Sequence, residues 1–166
     1  LHPERALAPI TGPFQKQELV RQMGIDALLT IPFDSGFANL TPEQFVLQVV
    51  AKNMHARQLV MGEDFRFGAA GAGDIHTLIQ LGIKYDFEVL VIPSVQVEGE
   101  RVSSTVIRAA LDSGDVRQAQ VMLGRRHSTT GVVEHGKKLG RQLGFPTANL
   151  SRESEGYLPM DGVYAG

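Results

Sequence analysis

Apolar residues along the first 124 positions come in short blocks, and their spacing alternates between the period of a helix and that of a strand. Pro13 to Met23, PFQKQELVRQM, has helical spacing and meets a stop at Gly24. Asp26 to Phe33, DALLTIPF, is a short apolar run of buried-strand type. Thr41, Pro42 and Gln44 supply an N-cap, a first-turn proline and a capping-box partner, which predicts a helix through Met54 with Phe45, Val49 and Val50 turned inward. Gln58 to Met61 reads as another buried strand, stopping at Gly62. Residues 68–74, GAAGAGD, are too flexible to form an element, but Asp74 can cap a helix that runs to Tyr85 on Ile75, Leu78, Ile79 and Ile83. Glu88 to Ile92, EVLVI, is the next buried strand, and Val95 to Val102 alternates around Gly99 as a small hairpin does. Ser103 or Ser104 then caps a helix carrying Val106, Ile107, Ala110 and Leu111, and a second short helix, Val116 to Leu123, ends at Gly124.

Helices alternating with apolar strands of parallel-sheet type predict a doubly wound α/β layer. The rhythm changes after Gly124. Thr129 to Val133 is β-like, residues 136–145 are rich in glycine, and Gly162 to Ala165 reads as the start of another strand. With no helical pattern left, the chain divides into an α/β domain over 1–124 and the opening of an all-β domain over 125–166. About 40 residues do not close a barrel or sandwich by themselves.

Composition narrows the class. The 166 residues are 43% hydrophobic and 20% charged, the balance of a soluble globular protein. No apolar run approaches the roughly 20 residues that cross a bilayer, and the first residues lack a signal-peptide layout, so a cytoplasmic location and no membrane partner are expected. The absence of cysteine excludes disulfides, thiolate metal sites and cysteine nucleophiles. A net charge of -2 advertises no nucleic-acid partner, but positive charge is concentrated locally: Arg125, Arg126, Lys137, Lys138 and Arg141 face only Glu134 between residues 125 and 141.

Three constellations carry candidate chemistry. Gly62-Glu63-Asp64-Phe65-Arg66-Phe67-Gly68 starts where a strand stops, and ligands of open α/β sheets bind beyond the carboxyl ends of the strands. Phe65 and Phe67 suit the walls of a planar ring, and the glycines let backbone approach it; the same letters also fit an ordinary loop whose phenylalanines cap the core. Ser103, Ser104 and Thr105 gather hydroxyls and unpaired N–H groups at the positive end of a helix, where phosphate is favoured. Arg108, one turn in, can fork onto phosphate oxygens and hold the charge that grows as pyrophosphate leaves; a plain N-cap with a surface arginine explains the same residues. Third, Gly136, Gly140 and Gly144 interleave with Lys137, Lys138 and Arg141 in a cationic, donor-rich loop suited to a polyphosphate, although it is not a Walker A sequence. Pro146 stiffens its exit. Thr147 and Asn149, two apart, share a face if they lie on a strand, and such an oxygen pair can hold Mg²⁺. The five histidines form no metal-type pair, and neither a G-x-S-x-G elbow nor a G-x-G-x-x-G fingerprint is present.

In this order, G-E-D-F-R-F-G, S-S-T-V-I-R and G-R-Q-L-G-F-P-T-A-N-L resemble the bacterial bifunctional riboflavin kinase/FMN adenylyltransferases, or FAD synthetases; the likeness continues through L-P-M-D-G-V-Y-A at 158–165. The resemblance implies a Rossmann-like nucleotidyltransferase domain followed by the start of a flavokinase-type β-barrel. It implies Asp64, Phe65 and Phe67 near flavin and nucleotide, and Ser104, Thr105 and Arg108 on ATP phosphates. In the second domain it implies Gly136 to Gly144 around ATP, with Thr147 and Asn149 serving Mg²⁺ and ATP. The implied substrates are riboflavin, FMN and ATP, and FAD is the final product. The reactions are in-line attacks, by the riboflavin 5′-hydroxyl on the γ-phosphate and by the FMN phosphate on the α-phosphate. The family's H-x-G-H signature is absent from these 166 residues and is expected upstream of Leu1; the kinase glutamate is expected beyond Gly166. These residues alone are therefore expected to be inactive or nearly so. Two other readings share the pattern: a related adenylyltransferase joined to an unrelated β-domain, and a non-catalytic flavin or nucleotide sensor.

Overall fold

The structure is a computed structural model that describes residues 8–136, 144 and 147–165. These fall into two compact units, one of residues 30–95 and one of residues 8–29 with 96–165.

The 30–95 unit is built around two parallel strands, β1 (Gln58–Gly62) and β2 (Glu88–Ile92), paired from Gln58↔Glu88 to Gly62↔Ile92. The helix α4 (Ile75–Tyr85) joins them, so strand, helix and parallel strand form one crossover unit. Ahead of it come the short α2 (Ser35–Ala38) and α3 (Pro42–Phe45), and α3 continues as a π-helical stretch, Val46–Asn53. The predicted capping box is present: Gln44 N–H donates to Thr41 Oγ1 at 3.2 Å, and Thr41 N–H to Gln44 Oε1 at 2.9 Å. The Asp74 cap is present too, accepting from Thr77 N–H at 2.8 Å. Val46, Val50, Leu59, Phe67, Leu78, Leu81 and Phe87 make up the core, with Leu78 fully buried. Such a side chain contributes about 2 kcal/mol relative to exposure.

The other unit contains α1 (Pro13–Gln22), a hairpin of β3 (Gln96–Val97) and β4 (Glu100–Arg101), and two packed helices, α5 (Ser104–Asp112) and α6 (Val116–Leu123). Glu98 and Gly99 both have positive φ, the conformation of a primed two-residue turn, which explains why glycine sits at the tip. The core is Ile107, Ala110, Leu111, Ala119 and Met122. A last antiparallel pair, β5 (Val133–Glu134) with β6 (Asn149–Leu150), follows, and no helix occurs after Leu123 among the described residues.

Several expectations need correction. Asp26–Phe33 is exposed coil rather than a buried strand, because no neighbouring strand among the described residues offers it a ladder. Gly162–Ala165 is also coil, for the same reason. The strand pair is less covered than expected: Leu59 of β1 is buried and Met61 and Val89 pack against the core that α4 and the π-helix supply, while Val60 of β1 and Leu90, Val91 and Ile92 of β2 are exposed. In α4 the inward positions are Leu78, Leu81 and Gly82, leaving Ile79 and Ile83 exposed.

Candidate functional site

The loop after β1 begins as a tight turn, with Phe65 N–H donating to Gly62 C=O at 3.1 Å. Glu63 anchors it to the end of β2: its N–H donates to Ile92 C=O, and its Oε1 accepts Ser94 N–H at 3.0 Å. Gly62 and Asp64 are exposed on that turn. The two phenylalanines stack, ring centroids 5.6 Å apart and 11° from parallel. Phe67 is buried and bridges antiparallel to Gly73, whereas Phe65 is half-buried. From Phe67 the aromatic series runs on through Phe45 at 5.7 Å, Phe37 at a further 6.0 Å and Phe33 at a further 5.5 Å. Together with Arg66 and Gly68 these rings line a cavity of about 350 Å³, within the size range of small-ligand pockets. Arg66 is steadied beside it by Asp74 at 3.7 Å, and Asp74 itself is held below the usual carboxylate range, chiefly by Thr77 N–H.

The second constellation lies in the other unit. Ser103 is the N-cap of α5, accepting Val106 N–H at 3.3 Å, and Ser104 and Thr105 occupy the exposed first turn. Arg108 folds back over that turn. Its Nη1 donates to Ser104 C=O at 3.3 Å and its Nε to Ala8 C=O at 3.2 Å, which holds the guanidinium at the mouth of the helix. Positive helix end, hydroxyls and guanidinium thus share one place, the arrangement an anion requires.

The third lies on the β5–β6 hairpin. Asn149 opposes Glu134 in register, and its amide is packed on Gly136, where a Cβ would come within 2.4 Å of Asn149 Nδ2. Gly136 is therefore the residue that makes room for the Asn149 side chain. Thr147 lies just ahead of β6, and Gly144 forms a turn with φ of +80°. Lys138, Gly140 and Pro146 lie outside the described residues. Among the described residues no group of histidine, aspartate and glutamate is placed to hold a metal ion.

The FAD synthetase family profile matches residues 1–106. The chain belongs to that family. A second profile, riboflavin kinase, matches residues 123–166. The bifunctional riboflavin kinase/FMN adenylyltransferase of Escherichia coli (strain K12) is 36% identical over 162 residues, which is 98% of this chain and 51% of the relative. That of Bacillus subtilis (strain 168) is 34% identical over 156 residues, 94% of this chain and 49% of the relative. The chain thus spans about half the length of the curated relatives it matches. A crystal structure described as a macrolide-efflux protein from Streptococcus pneumoniae aligns with a TM-score of 0.82 at 35% identity, covering 98% of this chain and 54% of that one. That description belongs to the pneumococcal protein; no helix among the described residues here is long and apolar enough to cross a membrane.

Sequence reading missed part of the wall of the aromatic cavity. Phe33 and Phe37 were not singled out, yet they extend the aromatic wall. Their signal is the four-residue spacing across Asp34, which caps α2 by accepting Phe37 N–H at 2.8 Å and so turns both rings onto one side.

Proposed function

We propose that the protein to which this chain belongs phosphorylates riboflavin to FMN and adenylylates FMN to FAD, using ATP for both and releasing pyrophosphate in the second reaction. The observation that carries this reading is the succession of a FAD synthetase match and a riboflavin kinase match along one chain, each with its own candidate phosphate site. In this reading the first domain, to residue 124, is a Rossmann-like nucleotidyltransferase, and residues from 125 open a flavokinase-type barrel. The β1–α4–β2 crossover supports the former and the antiparallel β5–β6 pair the latter.

The aromatic cavity beside Phe65 and Phe67 takes the isoalloxazine ring, because a flat apolar ring gains most from stacked and edge-on aromatic partners. Gly62 and Asp64 stand on the turn at its rim. At α5, the Ser103–Ser104–Thr105 turn receives ATP phosphates, and Arg108 stabilises the negative charge that builds up as pyrophosphate departs. On the kinase side Gly136, Lys138, Gly140, Gly144 and Pro146 form the nucleotide loop. Thr147 and Asn149 hold Mg²⁺; they supply oxygen donors without charge, which fits a cation whose counter-charge comes from the nucleotide phosphates. When bound, the cation neutralises phosphate charge; the residues themselves align the nucleotide. The reactions are assigned to the cytoplasm, where ATP is abundant.

Incubating the complete protein with ATP, Mg²⁺ and riboflavin, followed by chromatography of the flavins, tests the assignment; riboflavin returned unchanged overturns it. Arg108→Ala lowers FAD formation by about 100-fold or more while FMN still accumulates, the usual loss for one transition-state charge contact. Asn149→Ala does the reverse, sparing FAD formation when FMN is supplied. If either substitution removes both activities from a folded protein, the division of labour is wrong.

A further inference from the structure

Helix α1 is poorly held by the ordinary means. None of its residues is buried, its N-cap is Gly12 with no side chain to offer, and its first turn contains no acidic residue. A helix start leaves N–H groups without intrahelical partners, and their combined positive end calls for an acceptor. Here the acceptor comes from more than 100 residues away. Glu155 Oε2 accepts Phe14 N–H at 3.1 Å and Gln15 N–H at 3.2 Å, and Oε1 accepts Phe14 N–H at 3.3 Å.

Both sides are shaped for this contact. Glu155 is fixed by a two-way backbone bridge to Thr130, 2.9 Å and 2.7 Å, so its carboxylate is presented from a rigid base. Gly12 leaves the space: a Cβ there would lie 2.5–2.6 Å from the Glu155 side chain. Gln15 adds a second connection. Its Oε1 accepts Gly12 N–H at 3.0 Å, while its Nε2 donates to Ser128 C=O at 3.0 Å and Thr130 Oγ1 at 3.1 Å. The partners come from different family matches, since Gly12, Phe14 and Gln15 lie in the FAD synthetase match and Ser128, Thr130 and Glu155 in the riboflavin kinase match.

We propose that Glu155 and the N-terminus of α1 form a latch between the two family-matched segments, so that the riboflavin kinase segment holds α1 in place and α1 is released when that carboxylate is withdrawn. The latch is a carboxylate seated on helix N–H groups, a charge-assisted contact whose charge neither amide nor alanine at 155 supplies. Nothing in it depends on the proposed reactions.

The test is hydrogen exchange at the Phe14 and Gln15 amides in the full-length protein, together with tryptic cleavage after Lys16 and Arg21. In Glu155→Ala both accelerate by about tenfold or more, as expected when a local opening loses its main restraint. Glu155→Gln keeps the shape and loses the charge; it accelerates both by a smaller factor, and it decides the matter alone if the alanine variant does not fold. Gly12→Ala, attacking the other side, gives the same effect, and combining it with Glu155→Ala adds little because both remove one contact. Unchanged exchange and cleavage in a folded Glu155→Gln or Glu155→Ala protein, or effects that simply multiply in the double variant, overturn the latch.

Discussion

Phe65 and Phe67 are two residues apart and stacked, yet one is half-buried at the cavity and the other buried in the core, and replacing each with alanine separates the proposed duties. Phe67 is 6% exposed, lies in the core with Leu59 and Leu78, and packs so closely on Gly73 that a Cβ there would meet its ring at 2.7 Å. Its truncation empties a ring-sized space walled by Phe45, Phe65 and the Gly73 backbone, and a buried phenylalanine lost in this way costs about 3–5 kcal/mol. Phe65 lines the cavity from a half-buried position, so its truncation forfeits mainly the stacked pair, about 0.5–1.5 kcal/mol. Urea unfolding followed by circular dichroism reads the difference. With slopes of about 1–3 kcal/mol/M, Phe67→Ala lowers the midpoint of the 30–95 unit by about 2 M and Phe65→Ala by well under 1 M. FMN titration by flavin fluorescence reads the other duty, and Phe65→Ala weakens binding by about tenfold at little structural loss. Equal midpoint losses refute the assignment of Phe67 to the core. A folded Phe65→Ala protein that binds FMN as the parent does refutes the cavity as the ring site, leaving the phenylalanines as an ordinary cap on the core.

Two further outcomes follow from the same loop. Gly68 has φ of +75° and ψ of 177°, a region essentially reserved for glycine, and a Cβ there would stand 2.7–2.9 Å from Pro42; Gly68→Ala therefore destabilises by about 2 kcal/mol or more, read in the same urea melt, and a neutral result would mean the loop relaxes freely. The Asp74 carboxyl is held below its ordinary value by Thr77 N–H, so its contribution is complete above the unfolded carboxylate range and is lost as pH falls through the lowered folded value. Acid titration of Asp74→Asn accordingly lacks part of the stability loss that the parent shows below about pH 4, and identical acid profiles would contradict that account.

What the chain alone determined is whatever is settled within a turn or two of backbone. Thr41 with Gln44, Asp74 with Thr77 and Ser103 with Val106 each complete a contact three residues away; the first two caps and Gly99 at the hairpin were legible as letters, and the third was legible to within one residue, Ser103 or Ser104. The grouping of Ser103, Ser104, Thr105 and Arg108 at the start of α5 was legible for the same reason, since one helical turn brings its members together. Tertiary structure decided the rest. DALLTIPF has the composition of a strand, but a strand exists only through bonds to a neighbour, and here it has none among the described residues. EVLVI looked like a buried strand, and only the position of α4 and the π-helix determined that Val89 alone among its side chains packs against the core while Leu90, Val91 and Ile92 stay exposed. Phe33 and Phe37 join Phe45, Phe65 and Phe67 through the meeting of separate elements, and Glu155 reaches α1 across more than 100 residues; the sequence holds both partners of each such contact without stating that they meet.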